Sequence, residues 1–257
     1  MIKFFRHIRK SLLEQNKMGK YFKYAIGEII LVVIGILIAL QINNWNENRK
    51  LKKEEVNVLA ELKEDLNSTS KELNKDLRVH IEGLEANVQF MQFLKFNKIP
   101  ERDISHVFAL CSRDAQAFPK TSGYNLLESK GISIITNDSL RKEVANLYQL
   151  NIKRVTESGK SNPYYDISKI LDVYTKKHFT QSNSPYLSVY NQDIKDSIQF
   201  YKFYPKSIEK LKADNDLLMD LEGVIGIRTS KIDAHKMALK KIEIVLEIIN
   251  RELKNND

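Results

Sequence analysis

The chain has 257 residues, 42% hydrophobic and 29% charged, with a formal net charge of +8 and a sequence pI near 9.3. The apolar fraction excludes a disordered chain, while Gly 9, Pro 5 and Cys 1 exclude collagenous, proline-rich and disulfide-scaffold classes. The basicity is confined to one end. Residues 1–23 carry seven bases against Glu14, a net +6, and the other 234 residues carry 34 bases and 32 acids, a net +2. A nucleic-acid surface needs Lys and Arg clustered on the folded body to displace counterions, and this body is nearly neutral, so no nucleic-acid partner is expected.

In chain order, the first element is a basic amphipathic segment, residues 1–20. Ile2, Phe5, Ile8 and Leu12 fall at helical spacing opposite Lys3, Arg6 and Lys10, which fits either a helix lying on an anionic cytoplasmic leaflet or a charge cluster that only sets topology. Residues 21–43 come next as an expected transmembrane helix. From Ala25 to Ile42 only Glu28 is charged, and Ile29–Leu40 is unbroken apolar sequence; 18 residues span about 27 Å, close to the hydrocarbon thickness. No small-x-small cleavage site ends the run, so the segment reads as an uncleaved anchor. The more basic flank precedes it, which places the N-terminus in the cytoplasm and the C-terminal domain in the periplasm of an inner membrane. Glu28, Gly35 and Ala39 are candidate intramembrane contacts: an ionisable group in a bilayer, and a small-xxx-small pair that lets two helices approach.

The third element, residues 46–257, reads as an all-α extracytoplasmic helical bundle with two long helices. Val56, Leu59, Leu62, Leu66, Leu73, Leu77, Ile81, Leu84, Val88 and Met91 recur at threes and fours, predicting a helix over 46–96 that runs on from the membrane helix. The spacing suits a coiled coil or a bundle, and Thr69 favours the bundle. Pro100, Pro119, Pro163, Pro185 and Pro205 punctuate the remainder of the chain, predicting helices near 101–117, 123–130, 138–158, 164–180, 191–203 and 206–254. Gly131 reads as a helix stop, Asn137 as part of a capping cluster, Ile132–Ile135 as a short extended piece, and nothing else as strand. Gly223 and Gly226 are candidate kinks in the last helix.

Met1-Ile-Lys-Phe-Phe-Arg6, the run Tyr24–Asn46, and Leu126-Leu127, Gly131 and Ile135–Arg141 resemble an uncharacterised family of single-span membrane proteins from Bacteroidota, known only as a domain of unknown function. The resemblance implies an integral membrane protein of a Gram-negative bacterium and supplies no activity or site residues.

Chemistry is sparse in the sequence. His7, His80, His106, His178 and His235 show no metal-ligand spacing, no hydrolase, Walker or dinucleotide motif occurs, and neither an enzyme nor a cofactor or metal is expected. Cys111 sits in an apolar helical pattern and reads as a buried thiol, with an intermolecular disulfide as the alternative. Ten of the 23 aromatic residues lie between Tyr164 and Tyr204. Tyr186, Tyr190, Tyr201 and Tyr204 are therefore a candidate partner or ligand patch, unless these rings simply fill space between helices. The expected function is a partner- or ligand-binding, sensory-type module that contacts the bilayer and either a second copy of itself or another membrane protein. The alternatives are a passive structural or envelope protein and an unrecognised enzyme.

Overall fold

The computed structural model describes residues 18–157 and 166–255. The basic segment before Met18, and Tyr164 and Tyr165 at the start of one expected helix, lie outside the described residues. The chain is mostly helical and divides into two units at Asn57/Val58.

Helix α1 runs over Met18–Phe96, 79 residues. Its part within the first unit includes the apolar run, whose best 18-residue window has a mean hydropathy of 2.6 with none of it buried. Ile29, Leu31, Ile36, Leu40 and their neighbours are about half exposed on every side of the helix. Among the described residues this is one helix long and apolar enough to cross a membrane, compatible with a single-pass membrane protein.

The second unit packs the rest of α1 against α8, Asn215–Lys254. The two run antiparallel: Lys95 bonds Glu222, Asn87 bonds Arg228, and His80 meets His235. Between them come α2 (Ile104–Ser112), α3 (Ser122–Lys130), a 3₁₀ turn (Ile132–Ile134), and α4 (Asp138–Asn146). A π-helical segment (Leu147–Ile152) then leads into α5 (Lys153–Glu157). Helix α6 (Ile167–His178), strands β1 (Phe179–Asn191) and β2 (Asp196–Pro205), and α7 (Ile208–Lys212) complete the order. Gly131 ends α3 at φ 89°, a value suited to glycine, and the Asn137 side chain accepts from Leu140 N at 3.0 Å to start α4.

The apolar interior is two clusters, not one. The first joins Leu59, Leu62 and Leu66 of α1 to Leu127, Leu140, Leu147 and to Ile242, Val245 and Ile249 of α8. The second joins Phe90 and Phe93 to Phe108, Leu171, Phe179 and to Leu217, Leu221 and Val224. Between them, Asp76 to Asn87 of α1 faces Arg228 to His235 of α8.

Three expectations require correction. The helix expected over 191–203 is instead an antiparallel hairpin, with Asn191 paired to Asp196 and Tyr190 to Ser197. Val189, Tyr190, Ile198, Phe200, Tyr201, Phe203 and Tyr204 are β-branched or aromatic, types that fit a pleated strand. The Asn191 side chain closes the turn by accepting from the backbone N–H groups of Asp193 and Ile194, each at 3.0 Å. Pro185 is accommodated where the register shifts. Secondly, Ile132–Ile134 is a 3₁₀ turn rather than an extended piece. Thirdly, the apolar stripe of α1 leaves the core beyond Leu73: Ile81 and Val88 are exposed, and the inward positions are His80, Gly83, Ala86, Asn87 and Phe90. Gly223 and Gly226 lie exposed within the unbroken α8, with nothing close to a Cβ at either.

Candidate functional site

Two features of the second unit hold chemistry. One is a cavity of about 770 Å³ between α2 and the hairpin. Asp103 starts its helical wall, accepting from Ser105 N at 2.9 Å as the N-cap of α2. The next turn presents Ser105, His106 and Ala109, and Arg102 stands just before it. The hairpin supplies Tyr186 from β1 and Tyr201, Lys202, Phe203 and Tyr204 from β2. The hairpin is anchored at its base, where Phe179 stacks on Phe108 with centroids 4.7 Å apart and Lys206 N donates to His178 O at 2.8 Å.

Arg102 Nη1 lies 3.4 Å from His106 Nε2, and Lys202 Nζ stands 5.9 Å from the centre of the Tyr186 ring. Among the described residues neither Arg102 nor Lys202 pairs with a carboxylate. Ser105 Oγ is buried without a hydrogen-bond partner. Three of the four tyrosines singled out from the sequence thus line one cavity. The fourth, Tyr190, projects from the hairpin at 61% exposure and does not line it. Gly35 and Ala39 are exposed on α1 in the first unit, with nothing within 4 Å of a Cβ at Gly35; Glu28 lies on the same helix, half-buried.

The second feature is a polar belt between the two apolar clusters, which apolar periodicity alone does not reveal. Arg228 is fully buried, its Nε donating to Asn87 Oδ1 at 2.9 Å and its Nη2 to the carbonyls of Cys111 and Arg113 at 2.8 Å each. Lys231, also buried, grips Asp114 through both carboxylate oxygens at 2.8 and 2.7 Å. The rings of His80 and His235 meet edge-on with centroids 5.0 Å apart, and His80 Nδ1 lies 3.8 Å from Asp114 Oδ1. His235 Nδ1 is 2.8 Å from Lys231 O, which assigns the proton to Nδ1 and leaves Nε2 as an acceptor.

Burial pushes the His80 ring down to about 3, helped by the neighbouring His235, Lys231 and Arg228, and burial also lowers His235. Both rings are therefore neutral at pH 7. Burial raises Asp76 above the ordinary carboxylate range. Cys111 is buried and its thiol is pushed up to about 12 by burial, which makes it unreactive. The signal for the belt in the sequence is Asp65, Thr69, Glu72, Asp76, His80, Gly83 and Asn87, a polar stripe at threes and fours. Its upper members hold the loop opposite: Thr69 Oγ1 accepts from Lys120 N at 3.0 Å and Glu72 Oε1 from Phe118 N at 3.2 Å.

Fold and site together define a mostly helical protein with one long apolar N-terminal helix and a second unit bearing an aromatic, basic cavity. Residues 28–202 match the model of a family of unknown function, DUF6090, and the chain belongs to that family. No curated protein and no solved structure matches it.

Proposed function

We propose that the chain is a single-pass inner-membrane binding module: anchored by residues 21–43, with its N-terminus cytoplasmic, it uses the periplasmic second unit to bind a ligand or partner at the α2–hairpin cavity. The observation that carries this reading is the convergence of Tyr186, Tyr201 and Tyr204 with Arg102 and Lys202 on one concavity. Its volume lies within the range of about 300–1,000 Å³ usual for small-molecule sites. Tyrosine supplies apolar area together with a hydroxyl, and the two cations lack carboxylate partners among the described residues, so the wall is equipped for recognition rather than for filling space. The intramembrane residues Glu28, Gly35 and Ala39 would serve a contact with a second copy or another membrane protein.

The test is a thermal-shift screen of the full chain in lipid nanodiscs against fractionated bacterial envelope extract. A fraction that raises the melting temperature of the wild type, but not of Tyr201→Ala, supports the reading. If no fraction stabilises the wild type, or if every active fraction stabilises Tyr201→Ala equally, the cavity is not the binding site.

A further inference from the structure

We propose that the cavity takes a small soluble organic anion: a planar apolar body carrying a carboxylate or phosphate monoester. This rests on the cavity being a binding site and narrows that reading to a ligand class. The hairpin wall is aromatic, with Tyr186, Tyr201, Phe203 and Tyr204 all lining the cavity, and aromatic faces stack favourably on planar apolar groups.

Charge then selects among planar ligands. The lining holds Arg102 and Lys202, both without a carboxylate partner among the described residues. The lining holds one acid, Asp103, whose Oδ1 accepts from Ser105 N at 2.9 Å at the start of α2, so the two bases leave an excess of one positive charge. A cationic ligand would meet a lining with more positive than negative charge. A neutral aromatic would leave both cations unanswered. An anion is met by the Arg102 fork, whose Nη1 makes only the 3.4 Å contact with His106, and by the Lys202 ammonium standing 5.9 Å from the Tyr186 ring centre.

The experiment uses the full chain in phosphatidylcholine nanodiscs, titrated calorimetrically with 2-naphthyl phosphate, 2-naphthoate, 2-naphthol and inorganic phosphate, with empty nanodiscs subtracted. Saturable binding is expected for 2-naphthyl phosphate and 2-naphthoate. Binding of 2-naphthol and of inorganic phosphate should each be weaker by about tenfold or more, since each lacks one half of the recognised group. Arg102 and Lys202 are exposed, so Arg102→Gln and Lys202→Gln should leave the fold intact, which an unchanged circular dichroism spectrum checks. Each should weaken the naphthyl anions by about tenfold and leave 2-naphthol unchanged.

If 2-naphthol binds as tightly as 2-naphthyl phosphate and neither variant matters, the anion assignment falls while the cavity remains a binding site. If none of the four probes binds but an extract fraction stabilises the wild type and not Tyr201→Ala, the ligand class is wrong and the site is right. If no probe binds and no fraction acts, both readings fail together. Finally, loss of naphthyl phosphate binding when phosphatidylglycerol is added to the nanodiscs would assign the anion to a lipid headgroup and overturn the soluble-ligand class.

Discussion

At the residue scale, the belt turns on one missing methyl group. A Cβ at Gly83 would lie 2.3 Å from Arg228 Nη1 and 2.4 Å from its Cζ. The guanidinium cannot swing aside cheaply, because Asn87, Cys111 and Arg113 pin it with three hydrogen bonds. Gly83→Ala should therefore lower unfolding free energy by about 2–4 kcal/mol, the cost of overpacking plus buried donors left unpaired. Gly226→Ala, on the exposed side of α8 with nothing within 4 Å, should instead stabilise by up to about 1 kcal/mol through helix propensity. Urea denaturation followed by circular dichroism compares the two, and equal effects would remove the steric account of Gly83. The same belt makes stability depend on pH. His80 is held down to about 3 in the folded chain against 6.5 when unperturbed, so between these values the unfolded chain binds a proton that the folded chain excludes. Stability thus falls as pH drops below about 6.5, by up to about 1.4 kcal/mol per pH unit for this one ring. Measured from pH 6.5 to 4.5, above the window of Asp214, whose carboxyl sits at about 2, the slope should be shallower in His80→Asn. An unchanged slope would mean that His80 is not the group excluded from protonation.

At the element scale, the start of α3 shows how one helix can be capped by another. Thr121 stands at its N-cap, but its side chain makes no capping hydrogen bond to the backbone of the first turn. Asp65 of α1 takes that role, accepting from Ser122 Oγ and from Gly123 N at 2.8 Å each. Gly123 permits the approach, since a Cβ there would meet Leu62 N at 2.7 Å. Asp65→Ala should cost about 1–2 kcal/mol, the usual scale of a lost cap, and should selectively speed hydrogen exchange at the Gly123 amide; exchange that rises uniformly along the chain would argue against a local cap. Such long-range partnerships explain which parts of the fold the sequence exposes. Periodicity locates α1, α3, α6 and α8 because each carries its own apolar stripe, and Gly131 and Asn137 act on their immediate neighbours. The hairpin escapes a reading that weighs prolines as helix breaks and counts 191–203 as helical, although Val189 to Tyr204 is dense in β-branched and aromatic residues. The belt escapes because an apolar-only reading tracks Leu77, Ile81, Leu84 and Val88 outward, when the inward face from Asp76 to Asn87 is polar. The cavity is half legible: the tyrosines cluster in the sequence, but Arg102 and His106 reach them only through folding.

At the scale of the whole molecule, charge and hydropathy bear on one part of the proposal, that the second unit is periplasmic. The apolar helix buries none of its 18 most apolar residues against protein, so a hydrocarbon solvent would relieve about 25 cal/mol for each Å² it covers. Seven bases precede the apolar run within the first 23 residues, and only +2 of the net +8 lies beyond them. The positive-inside rule predicts from this asymmetry that the first residues stay in the cytoplasm and the remainder crosses, as proposed above. Alkaline phosphatase fused at Asp257 folds only in an oxidising compartment, so the fusion should be active in cells. Replacing Lys3, Arg6, Arg9 and Lys10 with Glu leaves Arg49, Lys50, Lys52 and Lys53 as the more basic flank, and activity should then fall as part of the population inverts. A fusion that is inactive from the start, beside an active cytoplasmic reporter, would place the cavity in the cytoplasm. An active fusion indifferent to the four substitutions would mean that the N-terminal charge does not set the orientation.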